Sequence, residues 1–270
     1  MIYILTALFQ EAKPYIEIYR LKRTAALGGV QLFEGEDCRL TVCGIGPVKA
    51  AAAAAHTMTR YAPRRGDLFV NIGAAGSLVF NIGEIVLCHK IVNTFTGGEF
   101  YPAMLYEHPF REGILGSSGS PVRESRYELT DMEGAFAYEA ALTFLPAARI
   151  QCVKVISDRL NPESVSAKAL EKLMSVTAGR ISEWLDGLAE LDKPKDILTE
   201  DEGRLMEIVS KNMRLTFAMN QKLRQVCVQA KIRGVNAFAA LMDASEIAAV
   251  SKTDSKEAFV GLISRLSEGE

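Results

Sequence analysis

Cysteine pairs, histidine clusters and a large net charge are all missing from this sequence of 270 residues. Its 5 cysteines are scattered, no C-x-x-C pair occurs, and no group of cysteines and histidines has the spacing of a metal site. An odd number of scattered cysteines is typical of reduced, mostly buried thiols in a cytoplasmic protein. The formal net charge of −2 lacks the electrostatic footprint expected when the main partner is nucleic acid or an anionic membrane.

Two further signatures are absent, the dinucleotide-binding glycine pattern and a long apolar run. Glycine turns occur at residues 44–46 and 73–76, but neither forms G-x-G-x-x-G. The alanine run at 50–55 is too short and too weakly apolar to span a bilayer, and no basic segment of a secretory signal follows Met1. We therefore expect a cytoplasmic protein that binds a small neutral or polar molecule, with no metal, cofactor, nucleic acid or membrane.

What the sequence does contain is an alternation of short apolar runs with helical patterns over its first two thirds. The predicted strands are residues 2–5, 30–34, 39–43, 67–72, 84–88, 90–93 and 150–156, and the predicted helices are 11–21, 48–60 and 130–144. The runs at 67–72 and 150–156 are almost continuously apolar, which is typical of strands buried on both faces. This alternation predicts a three-layer α/β domain.

From residue 163 onward the pattern is helical. It predicts one long amphipathic helix at 166–191, a break at Lys193-Pro194, a helix at 199–231 and two shorter helices. We therefore predict an α/β domain at 1–193 and a helical C-terminal extension at 194–270. Six cations lie along the extension: Lys211, Arg214, Lys222, Arg224, Lys231 and Arg233. A solvated helix face explains them better than a nucleic-acid surface, because acids precede them.

Three acids lie at predicted strand ends or helix starts. Asp158 emerges from the strand at 150–156, Glu11 follows the strand at 2–5, and Glu133 lies in the run Asp131-Met132-Glu133-Gly134. We expect the three carboxylates to meet in one cleft, although they are distant in sequence.

Each acid also has a structural interpretation. The run from Thr130 to Glu133 fits a capping box, in which Thr130 caps a helix and Glu133 returns the hydrogen bond. Glu11 in a first helical turn could simply complement the helix macrodipole. Asp158, ahead of an Arg-Leu-Asn-Pro segment, could stabilise a turn or a cap.

Five short motifs follow one another along the chain. They are Thr6-Ala7-Leu8-Phe9-Gln10-Glu11, Cys43-Gly44-Ile45-Gly46, Asn71-Ile72-Gly73-Ala74-Ala75-Gly76, Asp131-Met132-Glu133 and Val155-Ile156-Ser157-Asp158. In their types and order these motifs resemble those of the nucleoside phosphorylase superfamily. The resemblance covers roughly the first 190 residues, and the chain is nearer the methylthioadenosine/adenosylhomocysteine nucleosidases than the phosphorylases. The resemblance implies a central mixed sheet flanked by helices, and the last 80 or so residues lie outside it.

The resemblance gives each acid a role in breaking the bond between a base and ribose. Such a cleavage passes through an oxocarbenium-like sugar, which a nearby carboxylate stabilises. Glu133 resembles the residue that grips the ribose hydroxyls, with Met132 beside the sugar. Asp158 resembles the acid that protonates the departing base, with Ser157 orienting it, and Glu11 resembles the residue that activates water.

The resemblance also implies which loops surround the nucleophile and the base. These loops contribute Ala7, Gly44, Ile45, Gly46, Gly73, Ala74 and Ser157. Hexameric purine phosphorylases carry an arginine and a hydroxyl residue at positions that correspond to Asn71 and Ala74, and their N-terminal phosphate-binding Gly and Arg have no counterpart in residues 5–12. Hydrolysis is therefore favoured. Backbone amides at the helix start after Gly46 keep phosphorolysis open as an alternative.

The base-binding side departs from the resemblance. The resemblance implies a strand at 113–115, and only residues 116–129 separate it from the motif at 131–133. Tyr127 is the single aromatic residue in that interval. The wall that stacks on the base is thus shortened, or rebuilt from Phe95, Tyr101 or the C-terminal helices. An acid at 158 favours a 6-aminopurine in this family. A homo-oligomer is implied, and a catalytically inactive nucleoside sensor or scaffold remains a further alternative.

Overall fold

The computed structural model of the chain describes residues 1–24, 29–64, 66–191 and 197–268. Residue contacts divide the chain into two compact units, Met1–Lys193 and Pro194–Glu270. The predicted helix break at Lys193-Pro194 itself lies outside the described residues.

A mixed sheet forms the centre of the first unit. Its strands are β1 (Ile2–Thr6), β2 (Lys22–Arg23), β3 (Gln31–Glu34), β4 (Cys38–Val42), β5 (Leu68–Gly76), β6 (Ile85–Asn93), β7 (Glu99–Phe100), β8 (Arg111–Ser117), β9 (Leu129–Asp131) and β10 (Ile150–Asp158). The strand order is β10-β6-β8-β9-β5-β1-β4-β3-β2, with β7 paired to β6. Because β10 also pairs with β5, one half of the sheet closes into a ring.

Three of the strands that carry the sequence motifs, β1, β5 and β10, run in one direction. β1 and β10 both pair in parallel with β5, so the carboxyl ends of these three strands meet at one edge of the sheet. β9 reaches the same edge through the pairing of Thr130 with Gly76. This topology brings segments separated by more than 140 residues in sequence to one place.

Helices cover both faces of the sheet, which gives three layers. They are α1 (Phe9–Ile18), α2 (Pro47–Tyr61), α3 (Gly134–Ala141) and α4 (Ala167–Leu191). Alanines of α2 pack with α3 on one face, and α1 packs with the apolar stripe of α4 on the other. The predicted α/β fold with a mixed sheet is confirmed.

The second unit has a hydrophobic core of its own, built from four helices. They are α5 (Glu200–Asn212), α6 (Phe217–Ile232), α7 (Ala237–Ser245) and α8 (Lys252–Glu268). Thr199, Thr216 and Asn236 accept hydrogen bonds from backbone amides at the starts of α5, α6 and α7. Arg233 donates to the Leu266 and Ser267 carbonyl oxygens near the end of α8, so part of the basic composition stabilises the unit.

Two predicted helices are wrong in their extent. The helix predicted at 130–144 is the strand β9 followed by α3, because residues 129–131 pair with both β8 and β5. The helix predicted at 199–231 is two helices, since Arg214 adopts a positive φ of 52° and Thr216 begins a new helix. Residues 84–88 and 90–93, predicted as separate strands, form the single strand β6 with a register shift between Cys88 and Lys90.

Candidate active site

A cavity of about 200 Å³ opens at the shared edge of the sheet. We call it the carboxylate cavity, because four acidic residues line it. Its lining residues are Ala7, Leu8, Glu11, Ile45, Ala74, Ala75, Gly76, Ser118, Pro121, Val122, Thr130, Asp131, Met132, Glu133, Ser157, Asp158, Leu160 and Pro162. Lysine, arginine and histidine are absent from the described residues that line it.

Glu11 lies in the first turn of α1 and is buried. Its Oε2 accepts hydrogen bonds from the amides of Ala7 and Leu8, at 2.9 Å each, and its Oε1 accepts one from Ala74 at 2.8 Å. Burial raises the pKa of this carboxyl above its ordinary value, and the three amides oppose that rise. A carboxylate offers about four acceptor positions, so one position on Oε1 is left for a further donor.

Asp158 ends β10 at an irregularity in the pairing with β5. Such a bulge turns a side chain out of its regular direction, and bulges are common beside active sites. The Ser157 hydroxyl donates to Asp158 Oδ2 at 2.7 Å, and the Asn161 amide donates to Oδ1 at 2.7 Å. The hydrogen bond from Asn161 stabilises the turn that the structural interpretation predicts. Asp158 also lines the cavity.

Glu133 is the residue that precedes α3. Its Oε1 accepts a hydrogen bond from the Gly46 amide at 2.6 Å, and its Oε2 accepts one from the Met132 amide at 3.3 Å. The capping-box interpretation is wrong, because Glu133 is itself the N-cap and Thr130 lies in β9. Burial raises the pKa of Glu133 to about 7, the negative charge of Asp131 adds to the rise, and Lys154 opposes it.

Glycines allow β5 to approach two of these acids closely. A Cβ atom added at Gly73 would lie 3.1 Å from Glu11 Oε1, and one added at Gly76 would lie 2.9 Å from Asp158 Oδ1. A side chain at Gly76 would therefore force the Asp158 carboxylate to shift, and one at Gly73 would press on the Glu11 carboxylate.

The predicted loop residues divide into two groups. Ala7, Ile45, Ala74 and Ser157 line the cavity together with Met132 and the three acids. Gly44, Gly46 and Gly73 are not among the lining residues. Gly46 nevertheless binds Glu133 through its amide, Gly73 lies against Glu11, and the Gly44 amide donates to the Ala7 carbonyl oxygen at 2.9 Å.

A buried lysine behind the cavity escaped the sequence analysis. Lys154 lies in the middle of β10, and its Nζ is 2.6 Å from Asp131 Oδ2 and 2.6 Å from Asn71 Oδ1. Burial acts to lower the pKa of Lys154, but the charge of Asp131 and its neighbours raises it above its ordinary value. A lysine inside an otherwise apolar predicted strand was the available signal, since a fully buried lysine almost always needs a partner.

The aromatic residues that the sequence suggested for stacking on the base do not line the carboxylate cavity. Tyr127 does not line the carboxylate cavity but lines an adjoining one of about 220 Å³, which shares Ser118, Val122 and Thr130 with it. Phe95 and Tyr101 are mostly exposed, and neither lines either cavity.

In the part of the chain that the structure describes, the His, Cys, Asp and Glu side chains form no group of three or more that could hold a metal ion. Within the same residues, every helix falls short of the length and apolar character needed to cross a bilayer.

Comparison with known protein families gives a match over part of the α/β unit. Residues 4–113 match the sequence model of the phosphorylase superfamily. A search of curated protein sequences gave no match.

Solved structures with a similar fold include several nucleosidases. The Neisseria meningitidis 5'-methylthioadenosine/S-adenosylhomocysteine nucleosidase, in complex with methylthio-immucillin-A, is 18% identical with a TM-score of 0.59, over 69% of this chain and 98% of that one. A mutant of the Helicobacter pylori nucleosidase with 5'-methylthioadenosine in its active site is 17% identical, with the same TM-score and coverage. The native futalosine hydrolase of Helicobacter pylori strain 26695 is 18% identical with a TM-score of 0.58, over 69% of this chain and 97% of that one.

At these identities the structural likeness establishes the fold, and the sequence match over residues 4–113 is independent of it. The α/β unit thus has the fold of these nucleosidases, and residues 4–113 within it match the phosphorylase superfamily in sequence.

Proposed function

We propose that the protein hydrolyses the bond between the base and the ribose of a nucleoside, with a purine nucleoside as the favoured substrate. The observation that carries this proposal is the convergence of Glu11, Glu133 and Asp158 on one cavity whose described lining has no cationic side chain. A cluster of carboxylates stabilises a sugar that becomes positively charged as its bond to the base breaks.

In the proposed reaction, the bond between the anomeric carbon and the base breaks with its electron pair going to the base. Asp158 donates its proton to a ring nitrogen of the base, because a neutral base leaves far more readily than an anion. Glu133 stabilises the positive sugar. The oxygen of a water molecule bonds to the anomeric carbon, and Glu11 accepts the proton that this water loses. A proton returned to Asp158 from solvent and one released by Glu11 restore the site.

The contacts of Glu11 suit its proposed task. Three amide donors fix the orientation of the carboxylate and leave one acceptor position on Oε1 for water. Its raised pKa, caused by burial, makes it a better proton acceptor than an exposed glutamate.

Water is favoured over phosphate for two electrostatic reasons. Phosphate binding in proteins relies on cationic side chains and free amide donors. The described lining of the cavity has no cation, and the Gly46 amide before α2 already donates to Glu133. Asn71 corresponds by resemblance to an arginine of the hexameric purine phosphorylases. Its side chain donates a hydrogen bond to the Leu5 carbonyl oxygen and accepts one from Lys154 within the sheet.

A nucleoside panel tests the proposal. The panel contains methylthioadenosine, adenosylhomocysteine, futalosine, adenosine, inosine and uridine, each incubated with and without inorganic phosphate. Chromatography should detect free base and free sugar at the same rate in both conditions. A requirement for phosphate, with ribose 1-phosphate as the product, would identify a phosphorylase instead. If no nucleoside is cleaved in either condition, the proposed function is wrong.

The close approach of β5 to Asp158 gives a second prediction. Gly76→Ala places a methyl group against Asp158 Oδ1 and Leu160, so the acid must move. Because misplacement by about 1 Å can cost about 10²-fold in rate, we expect kcat to fall by about 10- to 100-fold. Gly179→Ala in the exposed part of α4, where an added Cβ has no neighbour within 4 Å, is the control and should keep the wild-type kcat. Equal rates for both variants would contradict the placement of Asp158.

A further inference from the structure

We propose that Lys154 and Asp131 form a positioning pair that fixes Glu133 beside the sugar and controls its charge. The inference rests on the proposed function, because it assigns Glu133 to the sugar side of the site. Neither Lys154 nor Asp131 is expected to touch the reacting atoms.

The pair is buried, and each member has a further polar partner. The side chains of Lys154 and Asp131 are 1% and 2% exposed, and their charged atoms are 2.6 Å apart. The Asn71 amide oxygen is a second acceptor for the Lys154 ammonium, and the Asn71 side-chain nitrogen donates to the Leu5 carbonyl oxygen at 3.2 Å. The network thus joins β1, β5, β10 and β9 beneath the cavity.

Asp131 connects this network to Glu133. Asp131 Oδ2 accepts a hydrogen bond from the Gly134 amide at 2.7 Å, and Oδ1 accepts one from the Ser117 hydroxyl. The same Ser117 hydroxyl accepts a hydrogen bond from the Ala135 amide at 2.8 Å. Gly134 and Ala135 are the first two residues of α3, and Glu133 immediately precedes them. Lys154 therefore holds Asp131, and Asp131 holds the helix start from which Glu133 projects.

Charges around Glu133 come from several elements. Asp131 of β9, Glu11 of α1 and Lys154 of β10 all act on it, and Asp158 lines the same cavity. The Cys43 thiol also lies near, and burial together with the charge of Glu133 raises its pKa to about 12, so it is neutral near pH 7. Among these groups Lys154 is the cation that favours an ionised Glu133, and Asp131 is the anion that disfavours it.

The two members of the pair therefore act on Glu133 with opposite sign. Removing the positive charge of Lys154 should raise the pKa of Glu133 above about 7, so that more of it is protonated and inactive at neutral pH. Removing the negative charge of Asp131 should lower that pKa. A pair that served stability alone would not move the titration of Glu133 in two directions.

The test compares Lys154→Gln, Asp131→Asn and Lys154→Arg in the full chain. Carboxyl carbon NMR of protein labelled with ¹³C-glutamate follows the Glu133 titration, and the Glu133→Gln variant identifies its signal. The acid limb of the kcat profile against pH is measured in parallel. We expect Lys154→Gln to move both midpoints up by about one pH unit or more, Asp131→Asn to move them down by a similar amount, and Lys154→Arg to keep them close to wild type.

The outcomes separate the inference from the proposed function. Unchanged Glu133 titration in Lys154→Gln and Asp131→Asn, or shifts of the same sign, would overturn the positioning pair. If Lys154→Gln does not fold, Asp131→Asn decides alone: a downward shift supports the pair and no shift overturns it. If the wild type cleaves no nucleoside, the proposed function fails, and the NMR titration still decides whether the pair controls the charge of Glu133.

Discussion

Asp158→Asn should lower kcat for nucleoside cleavage by about 10²- to 10⁴-fold while leaving the fold intact. General acid catalysis by a positioned side chain is typically worth this factor, and an amide cannot supply the proton. Asparagine has nearly the same shape, and its side-chain oxygen can still accept the hydrogen bond from the Asn161 amide. The measurement is steady-state kinetics on the substrate found with the nucleoside panel, with circular dichroism to check the fold.

Ser157→Ala is the matched control for this experiment. It removes the 2.7 Å hydrogen bond to Asp158 Oδ2 but keeps the acid itself. We expect about a tenfold loss, the effect of one ordinary side-chain hydrogen bond. If Asp158→Asn keeps the wild-type rate, Asp158 serves as a turn residue for Asn161 and the protonation must come from elsewhere.

Lys154→Met should destabilise the α/β unit by about 3–5 kcal/mol, the range typical of breaking a buried ion pair from one side. The substitution leaves Asp131 buried with its charge uncompensated, because its remaining donors, Ser117 and Gly134, are neutral. Chemical denaturation followed by tryptophan fluorescence measures this loss. Trp184 is the only tryptophan of the chain and packs against Phe110 inside the α/β unit, so its fluorescence reports that unit.

The matched control is Lys13→Met. Lys13 forms an ion pair with Glu171 at the same 2.6 Å distance, but its side chain is 42% exposed. Because water screens such a pair, we expect little change in the denaturation midpoint. The double variant Lys154→Met/Asp131→Asn removes both charges and should recover part of the lost stability. Equal losses for Lys154→Met and Lys13→Met would show that burial adds nothing to the pair.

Much of the fold could be predicted from local sequence signals. The apolar runs that became β1, β5 and β10 and the alanine-rich α2 depend mainly on periodicity and intrinsic propensity, which neighbouring residues determine. Prediction was wrong where tertiary pairing overrode a local signal. Residues 129–131 have helical neighbours in sequence, yet they pair with β8 and with Gly76 of β5.

The candidate site was predictable to a similar extent. Glu11, Glu133 and Asp158 were found because each follows a strand or precedes a helix, the positions where polar side chains gather at a sheet edge. Lys154 was missed, because no sequence pattern reveals that Asp131, more than 20 residues earlier, lies 2.6 Å away. The aromatic residues considered for the base, Phe95 and Tyr101, are exposed on the α/β unit, which local composition could not indicate.

The sequence by itself determined which acids are available to the candidate site and most of the segments that become strands and helices, since both depend on residue type and short-range spacing. Only the tertiary structure decided how these residues act together. Parallel pairing of β1, β5 and β10 brings distant acids to one edge, and burial then makes their charges depend on one another. Electrostatic interactions strengthen as water is excluded, so the properties of Glu133 and Lys154 exist only in the folded cavity.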